Sequence, residues 1–398
     1  MFMVVVGLGV LALHLYLWLR LVRDTTRTRR GRRVGTVLLA TMAVVSVAAL
    51  VLPSRVGVRV AEYLGWPGYL WLALFSYLLL ILAVLELPRL ALRKWMRGPA
   101  VADVATEDEP IDVQTTGTAP DQNRRLFLSR AAAVVAGAAS TGIVGSGLVS
   151  ALSPPQVKRV SVPLNGLGAG MNGFRVAVVS DIHLGPLLGR AHTERIVRII
   201  NETQPDMVAM VGDLADGTVA ELGEAASPLR DLHSPFGTYF VTGNHEYYSG
   251  YQQWVTELEG WGLHYLHNEH TVITRDGNGF TLAGVTDLNG KSVGDGPDMD
   301  RALYGRSPGK PTVLLAHQPV QVRQAATRDV DLQLSGHTHG GQLWPFHAVV
   351  RLAQPAVSGL SKVDKTWLYV TNGAGSWGPP VRVGAAPDIT VVELSQGG

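Results

Sequence analysis

Apolar stretches of roughly twenty residues constrain this chain more than any other feature, because that length and composition suit the hydrocarbon core of a bilayer. They run over residues 1–19, 34–52, 69–87 and 131–152. Charged residues make up 17% of the 398 positions and apolar residues 46%. A soluble globular chain carries roughly 25% charged residues, so the deficit fits a membrane portion. Basic residues follow the first stretch (Arg20, Arg23, Arg27, Arg29, Arg30, Arg32, Arg33) and the third (Arg89, Arg93, Lys94, Arg97). A secretory signal would carry such charge ahead of its apolar core, not behind it. Loops dense in Arg and Lys stay in the cytoplasm, and the loop between the second and third stretches holds only Arg55 and Arg59. The chain is therefore expected to be a multi-pass protein of the cell membrane, with the lipid bilayer as a partner and everything after Ser153 on the extracytoplasmic side. If one stretch lay on the surface instead of spanning, the final domain would be inverted.

This gives four regions. Residues 1–97 hold three transmembrane helices with basic cytoplasmic loops, and 98–130 read as a flexible cytoplasmic linker rich in Asp, Glu, Thr, Pro and Gly. Residues 131–152 form a fourth, softer span of Ala and Gly, and 157–398 form a separate domain. The linker ends in Asn123-Arg124-Arg125-Leu126-Phe127-Leu128, which resembles a twin-arginine export motif; ordinary positive-inside charge explains the pair equally well. The twin-arginine export machinery is thus one candidate partner. No clean small-x-small cleavage site follows, so the span is expected to stay as an anchor.

From Val157 onward, short Val-rich runs alternate with amphipathic stretches, the pattern of an α/β domain. Strands are expected over Phe174 to Val179, Met207 to Val211, Thr238 to Val241, Pro311 to Leu315 and Val330 to Leu334, and helices over His192 to Asn201 and Tyr251 to Glu259. Each strand runs into a small polar cluster: Asp181-Ile182-His183, Gly212-Asp213, Gly243-Asn244-His245-Glu246, His317, and Gly336-His337-Thr338-His339. Ligand sites in open α/β sheets gather at the carboxyl ends of strands. The chain has no cysteine, which excludes thiolate metal sites, disulfides and cysteine nucleophiles. His, Asp and Asn offer nitrogen and oxygen ligands suited to manganese, iron or zinc. Asp-x-His and His-x-His on extended segments would point both side chains to one face. Glycine beside Asp213, Asn244 and His337 would permit sharp turns and leave room for substrate.

This ordered series resembles the calcineurin-like metallophosphoesterase superfamily, whose blocks are Asp-x-His, Gly-Asp, Gly-Asn-His-Asp/Glu, His and Gly-His-x-His. The resemblance covers roughly Val157 to Leu394 and is nearest to the membrane-linked bacterial branch. It implies a four-layer α-β-β-α sandwich, here preceded by an α-helical transmembrane region, and two divalent metal ions. By that resemblance Asp181, His183 and His339 would hold the first metal, and Asn244, His317 and His337 the second, with Asp213 bridging. His245 would contact phosphate and protonate the leaving group, while Asp216 and Glu246 would orient ligands by hydrogen bonds. The implied reaction is hydrolysis of a phosphomonoester or phosphodiester by a metal-bound hydroxide, with a lipid or envelope polymer among the candidate substrates. Some members of the superfamily act on nucleotide-linked lipid precursors in the cytoplasm, which the expected topology argues against here.

Other readings compete with these. Of the twelve histidines, His233, His264, His267, His270 and His347 fall outside the blocks and read as surface or packing residues, and His192 as the start of a helix. Tyr247 and Tyr248 could stack on substrate or simply pack, and Trp344, Trp367 and Trp377 read more readily as packing than as a mouth. A non-catalytic metal-binding membrane anchor or assembly subunit is the alternative function, but a scaffold has no need of His245. A pore or carrier would need intramembrane polar groups, and only His14 and Glu86 come near. The net charge of +2 and the lack of a dense basic run in the domain point away from a nucleic-acid partner.

Overall fold

The computed structural model describes residues 2–51, 57–92 and 119–397. It divides into two compact units, one of Met1–Ala48 with Pro67–Gly145, the other of Ala49–Trp66 with Ser146–Gly398.

The first unit is helical. Helix α1 (Phe2–Leu17) runs into a π-helical turn, Trp18–Arg23; α2 (Arg29–Val51), α3 (Val58–Ala91) and α4 (Ala119–Leu152) follow. Among the described residues, Arg29–Val51, Tyr63–Ala91 and Asn123–Leu152 are long and apolar enough to cross a membrane. Leu17, Phe75, Leu78, Leu82 and Ala136 pack together in this unit. Its charges are paired: Arg20 meets Glu86 at 2.7 Å and Asp24 at 3.0 Å, and Tyr16 donates to Glu86 at 3.1 Å. The expected linker needs correction at one end. Helix α4 begins at Ala119, so the Arg124–Arg125 pair sits on a helix and not in a flexible segment. The remainder, 98–118, lies outside the described residues.

The second unit carries twelve strands: β1 (Gln156–Leu164), β2 (Phe174–Val179), β3 (Met207–Val211), β4 (Thr238–Val241), β5 (His264–Tyr265), β6 (Glu269–Arg275), β7 (Asn278–Gly284), β8 (Thr312–Leu315), β9 (Leu332–Ser335), β10 (Gly359–Val363), β11 (Thr366–Val370) and β12 (Asp388–Gln396). Its helices are α5 (Arg190–Glu202), α6 (Val219–Ala226), α7 (Asn244–Ser249), α8 (Tyr251–Gly260), α9 (Met299–Leu303), α10 (Val322–Ala326) and α11 (His347–Ala353). The strands form two six-stranded sheets, ordered β1-β12-β2-β3-β4-β5 and β10-β11-β9-β8-β7-β6.

Alternation along the strands builds the layers. In β2, Val176 and Val178 face Leu282, Val313, Leu315 and Leu334 of the other sheet, forming the core between them. The intervening Ala177 and Val179 face outward onto Ile196, Val197 and Ile200 of α5 and Trp254 of α8. Ala283 and Leu314 of the second sheet likewise back onto Met299 and Ala302 of α9. Strands buried on both faces carry continuous apolar runs, and each fully buried Val or Leu contributes about 1.5–3 kcal/mol. The result is the expected four-layer α-β-β-α sandwich, with β2-β3-β4 and β7-β8-β9 running parallel inside their sheets.

Candidate metal centre

The five polar clusters stand at the carboxyl ends of β2, β3, β4, β8 and β9, where parallel strands leave their last backbone groups unpaired and the chain must turn. The turn is made by the polar residues themselves. Asp181, His183, Asp213, His337 and His339 all have φ between 48° and 72°, a left-handed conformation costly for non-glycine residues and concentrated at functional sites. This corrects the extended-pair reading of Asp-x-His and His-x-His: the side chains converge through tight turns and not through strand alternation. Of the three glycines, Gly212 turns the chain as expected, with φ 91°, while the other two act differently. Gly243 and Gly336 do not supply positive φ; a Cβ at Gly243 would strike the Asp213 carboxylate, and one at Gly336 the Asp181 carboxylate. Gly243 lets the loops after β3 and β4 of one sheet approach, and Gly336 brings the loop after β9 against that after β2 of the other sheet.

Every residue of the candidate site is brought into one buried region. Ligand atoms of Asp181, His183 and His339 lie within 4.8 Å of one another, as do those of Asp213, His317 and His337. Nε2 of His183 faces Nε2 of His339 at 3.0 Å. The Asn244 carboxamide oxygen lies 3.2 Å from His317 Nε2 and 2.9 Å from His337 Nδ1. Asp213 reaches both groups: its Oδ2 is 3.1 Å from His317 Nε2 and 3.8 Å from His183 Nε2. Distance alone also groups His245 with His183 and Asp213.

The supporting residues fix which ring nitrogen faces inward. His317 Nδ1–H donates to the Val211 carbonyl at 2.7 Å, leaving Nε2 turned to the site. Asp216 accepts from Nδ1 of His183 at 3.0 Å and from Nδ1 of His245 at 2.6 Å, so one carboxylate orients both rings. Glu246 works through the backbone: it accepts from the N–H groups of Asp213, Leu214 and Gly243 at 3.0, 2.7 and 2.6 Å. Arg382 was not legible in the sequence, which offers only an Arg in a Gly- and Pro-rich stretch. It is fully buried, donates to the His339 carbonyl at 3.2 Å and lies 3.1 Å from His339 Nδ1.

Burial and charge set the protonation states. Burial works against a charged His245, yet its bond to Asp216 and the charges of Asp213, Asp216 and Glu246 outweigh that and push it up to about 9. Burial holds His337 down at about 3, helped by the neighbouring His317, and burial with His183 and Arg382 keeps His339 neutral. Burial would raise Asp213, but His317 holds it ionised, well below the usual carboxylate range. At the mouth, the rings of Tyr248 and Trp377 stand 5.5 and 6.0 Å from that of His245. Trp377 thus belongs to the mouth, while Trp367 packs against the core and donates to Pro163. His267 and His270 bond Asp295 and the Ala302 carbonyl, away from the cluster.

The donor set suits divalent cations of intermediate hardness: imidazole nitrogens turned inward, ionised Asp213 and a neutral carboxamide oxygen. Burial works against a charged His317, but the surrounding carboxylates push it well up, and a bound cation would take the place of that proton. A two-sheet sandwich with such an edge defines a candidate metal-binding protein. Residues 174–341 match the model of the calcineurin-like phosphoesterases. A "transmembrane protein with metallophosphoesterase domain" of Bos taurus is 40% identical over 287 residues, covering 69% of this chain and 64% of that protein. An uncharacterized metallophosphoesterase of Helicobacter pylori (strain ATCC 700392 / 26695) is 38% identical over 256 residues, 64% of this chain and 67% of its own. Another, YkuE of Bacillus subtilis (strain 168), is 30% identical over 283 residues, 68% of this chain and 97% of its own. The match to the cattle protein thus spans a little under two thirds of that protein's length. The chain belongs to the calcineurin-like phosphoesterase family.

Proposed function

We propose that this chain is a membrane-anchored, two-metal phosphoesterase that hydrolyses a phosphomonoester or phosphodiester outside the cytoplasm. The observation that carries the reading is the pairing of two three-residue donor groups with Asp213 in reach of both. Asp181, His183 and His339 would hold one cation, and Asn244, His317 and His337 the other. Two bound divalent cations supply Lewis acidity toward phosphoryl oxygens and an activated water.

The protein's own groups do the rest. Asp216 fixes the His245 ring through Nδ1, which leaves Nε2 free to donate. An imidazole pushed up to about 9 is protonated at neutral pH and is suited to act as general acid. As the attacking oxygen bonds to phosphorus the ester P–O bond breaks, and the departing oxygen takes the proton from His245 Nε2. Tyr248 and Trp377 flank that proton and narrow the approach.

The extracytoplasmic placement rests on the Arg-rich loops, and a contact within the second unit bears on the number of crossings alone. Val58, at the start of α3, buries its side chain among Leu214, Leu222 and Trp254. Its N–H donates to Glu221 at 3.1 Å. The start of α3 thus meets the domain that follows α4, which fits an even number of crossings between them.

The test is hydrolysis of 4-nitrophenyl phosphate and bis(4-nitrophenyl) phosphate by the purified full chain loaded with manganese. Turnover that a chelator abolishes and manganese restores supports the reading. No turnover with manganese, iron or zinc would leave the metal-binding anchor or assembly subunit in its place.

A further inference from the structure

The last turns of α4 do not end in solvent. The Arg382 N–H donates to the Gly147 carbonyl at 2.9 Å. A Cβ at Gly147 would come within 2.6 Å of Val381 and 2.8 Å of Val383. Residues 381–383 thus lie flat against the final turns of an apolar helix. With a rise of about 1.5 Å per residue, Gly147 sits roughly 7–8 Å below the helix end at Leu152. That is the depth at which interfacial elements bury their apolar faces, about 5–10 Å.

The same segment is tied to the rim of the metal centre. Val383 N–H donates to the Gln342 carbonyl at 2.8 Å, and Trp344 N–H to the Val383 carbonyl at 3.0 Å. The Gln342 side chain donates to the carbonyls of Trp377 and Pro379 at 2.9 and 3.0 Å. From this rim extend large exposed apolar side chains: Trp344, Phe346, Val349, Leu352 (87% exposed) and Trp377. Phe346, Val349 and Leu352 are spaced three apart, and α11 has no buried residue. It is a helix whose apolar stripe has no core to join. Residues 340–387 hold one carboxylate, Asp364, while Arg351, Lys362 and Lys365 are present. An exposed apolar surface carrying Trp and Phe, poor in carboxylates and flanked by cations, is complementary to anionic headgroups over acyl chains.

We propose that Trp344, Phe346, Val349, Leu352 and Trp377 form a surface that rests in the headgroup region of the bilayer, continuous with α4, so that the metal centre opens toward lipid. This rests on reading α4 as a membrane span and the domain as a phosphoesterase. It narrows the substrate to a phosphoester whose organic group is held in the membrane. The phosphate would pass Trp377, which stands between this surface and the His245 ring.

The chain has no native cysteine, so one site can be labelled without background. The full chain is placed in nanodiscs of phosphatidylcholine and phosphatidylglycerol, carrying a nitroxide at Leu352→Cys or, as a control, at the exposed Asp300→Cys. The inference expects the label at 352 to be relaxed more by oxygen than by a water-soluble nickel chelate, and the label at 300 to show the reverse. Equal access of the chelate to both labels would overturn the surface. So would shielding at 352 with spin–spin coupling between labels, since a second copy would then cover it. A second arm compares phosphatidate in the same nanodiscs with bis(4-nitrophenyl) phosphate in solution. In Phe346→Ser/Leu352→Ser the ratio of the first rate to the second should fall about tenfold or more, the scale set by losing two buried apolar side chains. A ratio unchanged from the parent, or a parent that cleaves the soluble ester and leaves phosphatidate intact, would overturn the substrate class. A lipid-facing label with no hydrolysis of either ester would leave the surface standing and defeat the phosphoesterase reading instead.

Discussion

The two sheets bring different chemistry to the shared edge. Among the candidate ligands, the first supplies both carboxylates, Asp181 and Asp213, together with His183, Asn244 and the nearby His245; the second supplies the imidazoles of His317, His337 and His339. Their bracing differs in the same sense. The first edge is held by the carboxylates of Asp216 and Glu246, the second by the Val211 carbonyl behind His317 and the Arg382 guanidinium behind His339. The candidate carboxylate ligands and their acidic support sit on one side, and the imidazoles of the other include His317, which, against its burial, those carboxylates push well up.

Breaking the bridging group should have the largest effect. Asp213→Ala removes the one carboxylate in reach of both donor groups, and ester hydrolysis is expected to fall to the level of the chelator-treated protein in a steady-state assay. Next comes His245→Ala, which leaves the proposed ligands in place. Its kcat should drop about 10²–10⁴-fold, the usual range for a lost general acid, with metal content by elemental analysis unchanged. His337→Ala on the second sheet should instead lose metal along with rate, and that split between acid and ligand sharpens the comparison. Asp216→Asn weakens the group that orients His183 and His245 and should reduce metal affinity or activity about 10–100-fold. The smallest effect on chemistry is expected from Leu282→Ala, between the sheets. It should cost about 2–5 kcal/mol of stability in a denaturant titration, while kcat per folded molecule changes little.

What could be read in advance follows the physics of each signal. Residue type and order were enough to pick out Asp181, His183, Asp213, Asn244, His317, His337 and His339 as candidates, because metal donors are few and each block ends an apolar strand. Short Val-rich runs likewise marked β2, β3 and β4 with their observed limits. The backbone route was hidden: left-handed φ at Asp181 and His339 is imposed by packing between sheets, which local propensity does not record. Arg382 was hidden for a related reason. It reaches His339 from 43 positions away, and its role exists only once the chain closes around it. The start of α4 at Ala119 escaped notice because a run of polar residues with Pro120 reads as linker, while the helix continues N-terminally from its apolar part.

The central claim is a two-cation centre shared by two sheets, and metal titration of the stripped full chain tests it most directly. Manganese is added stepwise while bound metal and hydrolysis of bis(4-nitrophenyl) phosphate are followed together. The account predicts that activity saturates at two equivalents per chain and that Asp213→Ala shows no rise. Saturation at a single equivalent, or full activity in Asp213→Ala, would contradict it.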